Sequence, residues 1–380
     1  VISQRTIPEA AFRSHLDIAA LGGALGYTCI GEGYTNAANA KNMACNAFLK
    51  LAQHGDSALV LLDGTKCYRP DIVQQMVQVE AGVVVGLDAL LVRRWALAQM
   101  QWYGHEYFFK HQYRGSGLGP PDEDAYFIGA ARASNVGDIY GVEECDEALE
   151  EGAEQPEPPQ QEGRRVFWAV PLEREILSEA FGPFLSVAMC AGEKGYLRLG
   201  VPVCDTPTAR NRLCELFLKN SARPDDTLVM LDADHAHPQD VVERLALRPE
   251  GVVGALYFRR GPPHDPLWFV RRIDGTMAAP AECGPYVYPC ACVGTGAIAI
   301  KRWVLEKLRA AGNDVFFRYD YPFDSSKKLP SEDVYFGAIC EEIGIRHHVD
   351  GSLVTQHLAV KRIGPRDWEE NKPENLKSSE

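Results

Sequence analysis

Leu231-Asp232-Ala233-Asp234-His235 closes the apolar run Thr227-Leu-Val-Met-Leu231. Two carboxylates one residue apart, on the turn leaving a buried strand, can both face a divalent cation in a solvent-filled cleft. Hard cations such as Mg²⁺ and Mn²⁺ take oxygen ligands and are often shared with substrate phosphates. The Asp-x-Asp is therefore a candidate cation–diphosphate clamp. Acidic turns after strands are common and mostly only solvated, so its weight depends on the residues around it. Ala209-Arg210-Asn211 lies in the opening turns of a helix that ends just before the acidic strand. A helix N-terminus carrying an arginine suits a diphosphate or nucleotide; an exposed surface arginine is the plain alternative. Val293-Gly294-Thr295-Gly296-Ala297 enters an apolar strand through two glycines, which permit close backbone approach to a ligand or a simple β-bulge. Ser331-Glu332-Asp333 opens a helix, where the dipole favours acids in any case. A carboxylate aimed into a cleft from that turn can also act as general base toward an acceptor hydroxyl. Val349-Asp-Gly-Ser-Leu-Val-Thr-Gln-His357 ends a strand in a histidine, either a third cation ligand through a ring nitrogen or a packing group.

The elements that would position these residues occur twice. Asn39 to Lys50 matches Thr208 to Lys219, and Asn42 to Asp63 spans 21 residues, as does Asn211 to Asp232. Cys, Phe-Leu-Lys, Leu-Val and Leu-Asp recur in register between them. Val84-Val85-Gly86 then answers Val252-Val253-Gly254, and Arg93-Arg94 loosely answers Arg259-Arg260. Pro121-Asp-Glu-Asp-Ala-Tyr-Phe127 answers Pro330-Ser-Glu-Asp-Val-Tyr-Phe336. Order and spacing kept over so many elements read as duplication followed by divergence. In the second copy, Arg165–Val170 reads as a strand, 173–190 as a helix and Tyr196–Val203 as the next strand. Thr206-Pro207 supplies an N-cap and first-turn proline for a helix with Leu213, Cys214, Phe217 and Leu218 on one face. Such alternation predicts α/β layering with mainly parallel sheets, whose ligands sit beyond the carboxyl ends of the strands.

The copies differ chemically. Where the second has Asp232-Ala-Asp-His235, the first has Asp63-Gly-Thr-Lys66, with Thr65 for the second acid and an ammonium where a cation would bind. Gly86 to Pro121 is 35 residues against 76 from Gly254 to Pro330, so the first copy is expected to lack a counterpart of the Gly-Thr-Gly segment.

The chain has 380 residues, 46% hydrophobic and 24% charged, the balance of an ordinary globular protein. No apolar run reaches the roughly 18 residues needed to span a bilayer, so no membrane association is expected. The net charge of −13 is concentrated: residues 143–162 hold nine acids and no base. With Gln155-Pro-Glu-Pro-Pro-Gln-Gln, that segment reads as a solvated linker. The folded parts are only mildly acidic and imply no general nucleic-acid-binding field. Eleven scattered cysteines without zinc-type spacing read as free thiols in a reducing compartment, hence a cytoplasmic location. The expected division is 1–142, a linker at 143–164, a working domain at 165–362 and a polar tail at 363–380.

Together, Ala-Arg-Asn, Leu-Asp-Ala-Asp-His, Val-Val-Gly-x-Leu-Tyr-x-Arg-Arg, Val-Gly-Thr-Gly, Ser-Glu-Asp and the late Gln-His resemble family 2-type glycosyltransferases of the GT-A fold, of the kind found in phages and viral metagenomes. The resemblance covers about 165–360 and makes the first half a degenerate relative, so the expected fold is two tandem GT-A-like, Rossmann-like α/β domains. It implies Mn²⁺ or Mg²⁺ held by Asp232, Asp234 and His357 on the diphosphate of a nucleotide-sugar donor, with a UDP-sugar as the leading candidate. Arg210, Asn211, Pro171 on the edge Ala169-Val170-Pro171, Asp232, Gly294, Thr295, Gly296 and Arg259 would bind the donor. Asp333, with Glu332 beside it, would act as base in a single inverting displacement. The acceptor is open between a hydroxylated DNA base, a glycan and a protein. An aromatic-basic stretch holding Trp102, Tyr103, His105, Tyr107, Lys110, His111 and Arg114 is either core or a stacking surface. The two halves would pair as a pseudo-dimer within one chain. A non-catalytic sugar- or nucleotide-binding pair and a sugar-phosphate nucleotidyltransferase are the competing readings. The latter would normally show a glycine-rich basic phosphate loop, which Val170-Pro171-Leu-Glu-Arg174 is not.

Overall fold

The computed structural model describes residues 6–7, 9–24, 37–52, 54, 57–62, 72–78, 81, 83–85, 89–102, 127, 131, 139–141, 163–172, 176–202, 204–272, 276–280, 282–319, 331–358 and 362–363. The chain divides into two compact units, Val1–Glu154 and Gln155–Glu380, with the boundary inside the acidic segment. Asp63 to Lys66, residues 103–114 of the aromatic-basic stretch, the linker at 143–162 and the tail from 364 lie outside the described residues.

The first unit runs β1 (Thr6–Ile7), α1 (Glu9–Ala24), α2 (Ala37–Leu51), β2 (Ala58–Leu62), α3 (Ile72–Gln78), β3 (Val83–Val85), β4 (Ala89–Arg93), α4 (Arg94–Trp102) and β5 (Ile139–Gly141). The second begins with β6 (Val166–Ala169), β7 (Ile176–Leu177), α5 (Ser178–Glu193), β8 (Leu197–Leu199), α6 (Thr206–Asn220), β9 (Thr227–Leu231), β10 (His235–Ala236), α7 (Val241–Ala246) and β11 (Val252–Leu256). It continues through β12 (Trp268–Arg271), β13 (Met277–Ala278), β14 (Val287–Cys290), β15 (Cys292–Val293), β16 (Ala297–Lys301), α8 (Arg302–Ala310), α9 (Glu332–Glu342), β17 (His347–Val354), β18 (Gln356–Leu358) and β19 (Arg362–Ile363).

The central sheet of the second unit has the order β14-β17-β11-β16-β9-β6-β8. It is mixed rather than mainly parallel. The pairs β6/β8, β6/β9 and β11/β17 are parallel, whereas β9/β16, β11/β16 and β14/β17 are antiparallel. The cause is the connection from β11 to β16, which holds no helix among the described residues. A strand that returns to its neighbour without a helical crossover comes back antiparallel. β9 lies between β6 and β16 and is buried along its whole length, which explains an unbroken apolar run in place of an alternating one. α6 buries Leu213, Cys214, Phe217 and Leu218 against this sheet, as its spacing predicts. Its N-cap is Asp205, whose carboxylate accepts the Thr208 N–H at 3.1 Å, one residue before the expected Thr206.

The first unit's sheet, β2-β4-β3-β5, repeats part of this pattern. β4 lies antiparallel between β2 and β3, with Ala58 opposite Arg93 and Leu62 opposite Ala89. In the second unit β16 lies antiparallel between β9 and β11, with Thr227 opposite Lys301 and Leu231 opposite Ala297. β3 then pairs parallel with β5, as β11 does with β17. These registers correct the sequence alignment in two places. Arg93-Arg94-Trp95 holds the place of Lys301-Arg302-Trp303, at a strand-to-helix junction, and not that of Arg259-Arg260. Val83-Val84-Val85, one residue earlier than expected, stands where Val252-Val253-Gly254 does.

Candidate metal centre

The turn leaving β9 delivers Asp232 and Asp234 beyond the strand's carboxyl end. β16 runs the other way, so its first residues arrive at the same edge, and the Asp232 N–H donates to the Gly296 carbonyl at 2.8 Å. β10 then pairs antiparallel with β18, placing His235 directly opposite His357. The Leu358 N–H donates to the Asp234 carbonyl at 2.8 Å and fixes that pairing. Asp234 and His357, distant in sequence, are thus brought side by side by a two-residue ladder.

Among the described residues, Asp234, His235 and His357 have donor atoms that all lie within 4.8 Å of one another. His235 therefore takes the place expected for Asp232, which stands outside this group. His235 Nδ1 donates to Asp234 Oδ1 at 2.7 Å, and His357 Nε2 is 3.5 Å from Asp234 Oδ2. His357 Nδ1 donates to the Phe258 carbonyl at 3.1 Å, which places a proton on Nδ1 and turns Nε2 toward Asp234. The rings of His235 and His357 stack with centroids 4.3 Å apart, and His237 also stacks on His235, at 5.6 Å. Burial alone would push the Asp234 carboxyl up. Hydrogen bonding and electrostatic interaction with the His235 and His357 rings outweigh it and hold Asp234 far below the usual carboxylate range. Burial drops His237 to about 3, so it stays neutral.

Asp232 belongs to a different arrangement. Arg210 is 1% exposed and its guanidinium spans two carboxylates, Asp232 Oδ1 at 2.6 Å and Glu332 Oε1 at the first turn of α9. The Phe317 ring lies under it at 5.9 Å. Burial opposes the charge, but the two carboxylates prevail and raise the Arg210 pKa further, so it remains a cation. Arg210 is therefore an internal brace between the metal strand and α9, not an exposed nucleotide contact. Its place on α6, three and four residues before Leu213 and Cys214, puts it on the core-facing stripe. Asn211 is likewise committed. Its amide donates to the Phe317 carbonyl at 2.6 Å, and its Oδ1 accepts the Phe316 and Phe317 N–H groups at 2.9 and 3.0 Å. The donor-binding expectation for Asn211 gives way to a backbone clamp.

The Gly-Thr-Gly segment is also occupied from within. A Cβ on Gly296 would meet His235 Nε2 at 2.7 Å and Tyr257 Cζ at 2.9 Å, and one on Gly294 would strike the Tyr257 hydroxyl. The close approach these glycines permit is to Tyr257 and His235 rather than to a ligand, and Thr295 is buried. The Tyr257 hydroxyl accepts the Gly296 N–H at 3.2 Å, and its ring meets His235 edge-on at 4.8 Å. Burial, with Asp333 and Asp232 nearby, holds the phenol protonated. Pro171, expected at the nucleotide edge, is buried.

Asp333 lies in the first turn of α9. Its Oδ1 accepts the Val334 N–H at 2.8 Å and the Ser331 hydroxyl. Burial raises its carboxyl above the usual range against those bonds, the direction that suits a general base. Glu332, paired with Arg210, is placed as a support for that turn. Arg259 is exposed, and its neighbour Arg260 is the one that pairs with Asp234. Sequence reading missed His235 as a cluster member and Tyr257; Arg260, read beside Arg259 as either a phosphate or acceptor contact or a structural ion pair, forms an ion pair here. The two glycines were a signal that some bulky group must approach there, but not which one.

Among the described residues no helix is long and apolar enough to cross a membrane. No protein-family model matches the chain, and no curated protein matches it. Among solved structures it is similar to one titled "Crystal Structure of A197 from STIV", with 18% identity over 51% of this chain and 86% of that chain, at a TM-score of 0.34. So distant a likeness carries nothing about the site.

Proposed function

We propose that the second unit is a cation-dependent glycosyltransferase that moves a sugar from a nucleotide-sugar donor to an acceptor hydroxyl. The observation that supports it most is the Asp234–His235–His357 group at the carboxyl edge of the sheet, with Asp333 in the first turn of α9, which Arg210 ties to Asp232 through Glu332. One carboxylate and imidazole nitrogens fit Mn²⁺ better than Mg²⁺, which prefers oxygen throughout. Asp234 and His357 would hold the cation, with His235 orienting Asp234 from the buried side. A cation bound there supplies Lewis acidity on the leaving diphosphate and a template for its oxygens. Asp333 takes the acceptor's proton as the acceptor oxygen bonds to the anomeric carbon. The bond from that carbon to the diphosphate breaks, and the nucleoside diphosphate leaves with the electron pair. Arg210 keeps Asp333 in place through Glu332. The matching sheet registers support reading the first unit as a duplicated relative, and its Asp63-Gly-Thr-Lys66 as a sequence without the second acid.

The test is ligand-linked stabilisation of the full chain by UDP-, GDP-, dTDP- and CMP-sugars with Mn²⁺. One donor should raise the melting temperature, Asp234→Asn and His357→Ala should abolish that rise, and Asp333→Asn should keep it while losing transfer. If no nucleotide sugar stabilises the chain, or Asp234→Asn transfers sugar at the wild-type rate, the reading is wrong.

A further inference from the structure

We propose that Arg260 is the resident counter-cation of Asp234, exchanged for the divalent cation when the site loads, and that it thereby sets the site's cation affinity. The inference rests on the metal reading above and goes one step past it. Both carboxylate oxygens of Asp234 are engaged. Oδ1 accepts from His235 Nδ1 at 2.7 Å, and Oδ2 is held by the Arg260 guanidinium. His357 Nε2 lies 3.5 Å from that same Oδ2. A cation bound by His357 and Asp234 together therefore competes with Arg260 for Oδ2.

Burial decides which bond opens. The His235 side chain is 2% exposed and stacked with both His237 and His357. Releasing it would strand a ring nitrogen away from water. The Arg260 and Asp234 side chains are 48% and 41% exposed, so solvent screens their pairing and a departing guanidinium is hydrated at once. The hairpin that carries Arg260 is held independently of this pair. The Arg259 N–H donates to the Asp265 carbonyl at 2.9 Å and the His264 N–H to the Gly261 carbonyl at 3.0 Å, and Phe258 bridges to Pro266. The exchange is therefore a swing of one side chain on a firm base. The released guanidinium stays at the rim of the site, where its fork suits the anionic oxygens a loaded cation brings with it.

Mn²⁺ titration of the full chain without nucleotide, followed by the electron paramagnetic resonance of free Mn²⁺, tests this directly. Arg260→Gln should bind Mn²⁺ roughly two- to five-fold more tightly than wild type, about 0.4–1 kcal/mol at 1.4 kcal/mol per tenfold. Arg259→Gln removes the same charge one residue away and should change the affinity less than twofold. Wild-type affinity in Arg260→Gln, or equal tightening in Arg259→Gln, overturns the exchange while leaving the metal centre standing. Binding that is absent from wild type, or that survives Asp234→Asn, overturns the metal centre itself. Circular dichroism of each variant shows that the fold is retained.

Discussion

Arg210 offers the sharpest check on the reasoning, because its burial turns a surface expectation into an internal one. The guanidinium is 1% exposed, while the side chains of its partners Asp232 and Glu332 keep 24% and 13% of their surface. Arg210→Ala would leave two carboxylates facing each other without a counter-charge. Breaking a buried pair by deleting one partner costs about 3–5 kcal/mol, and the residual exposure of both acids points to the lower end. At about 2–4 °C per kcal/mol for a unit of this size, roughly 6–12 °C of melting temperature should be lost. The triple change Arg210→Met, Asp232→Asn, Glu332→Gln removes every charge at similar volume, and should recover most of that loss. Scanning calorimetry of the full chain measures both. A melting temperature for Arg210→Ala within about 2 °C of wild type, or a triple variant no better than the single one, would refute the brace.

Gly296→Ala should drive a methyl group into the 2.7 Å approach to His235 Nε2. An overpacking cost of about 1–3 kcal/mol and weaker Mn²⁺ binding should follow; unchanged melting and unchanged titration together would contradict the packing described. Acid should destabilise the protein through His237 and His347, both lowered to about 3 by burial. An unfolded histidine titrates near 6.5, so the unfolded chain takes up protons that the folded one refuses. The stability these neutral rings contribute is complete above about pH 6.5 and falls by about 1.4 kcal/mol per pH unit for each as the pH drops toward 3. Urea midpoints at pH 7, 6 and 5 measure the slope, and His347→Leu should remove one histidine's share. A midpoint independent of pH over that range would rule this out.

Strand and helix positions were legible where burial imposes a period. β9 was visible as an apolar run, α6 as the stripe through Leu213, Cys214, Phe217 and Leu218, and the helix after Ser331 as a capped first turn. The direction of β16 was not, because the sequence of a strand looks the same whether it runs up or down. That single unknown hid most of the site: with β16 reversed, Gly296 arrives beside Asp232 and Tyr257 fills the space between. Arg210 was misjudged because arginine is rarely buried, although its spacing from Leu213 already placed it on the inner face. His235 required the β10–β18 register, a pairing between residues more than a hundred positions apart that no local pattern encodes.

The reversed middle strand also frees a length of chain from topological duty. Adjacent antiparallel strands need no more than a short turn between them, and in the first unit residues 86–88 suffice to join β3 to β4. In the second unit the equivalent junction between β11 and β16 is residues 257–296. This stretch contains Tyr257, Arg259, Arg260, the small sheet β13-β12-β15 and the Gly-Thr-Gly turn. Apart from β14, which joins the central sheet beside β17, everything in it beyond a short turn is surplus to linking β11 to β16. Selection can therefore lengthen, shorten or rewrite the part of the stretch before Gly294 to change what is recognised, while Asp232 and Asp234 stay at the end of β9, which is held by its pairing with β6 and β16.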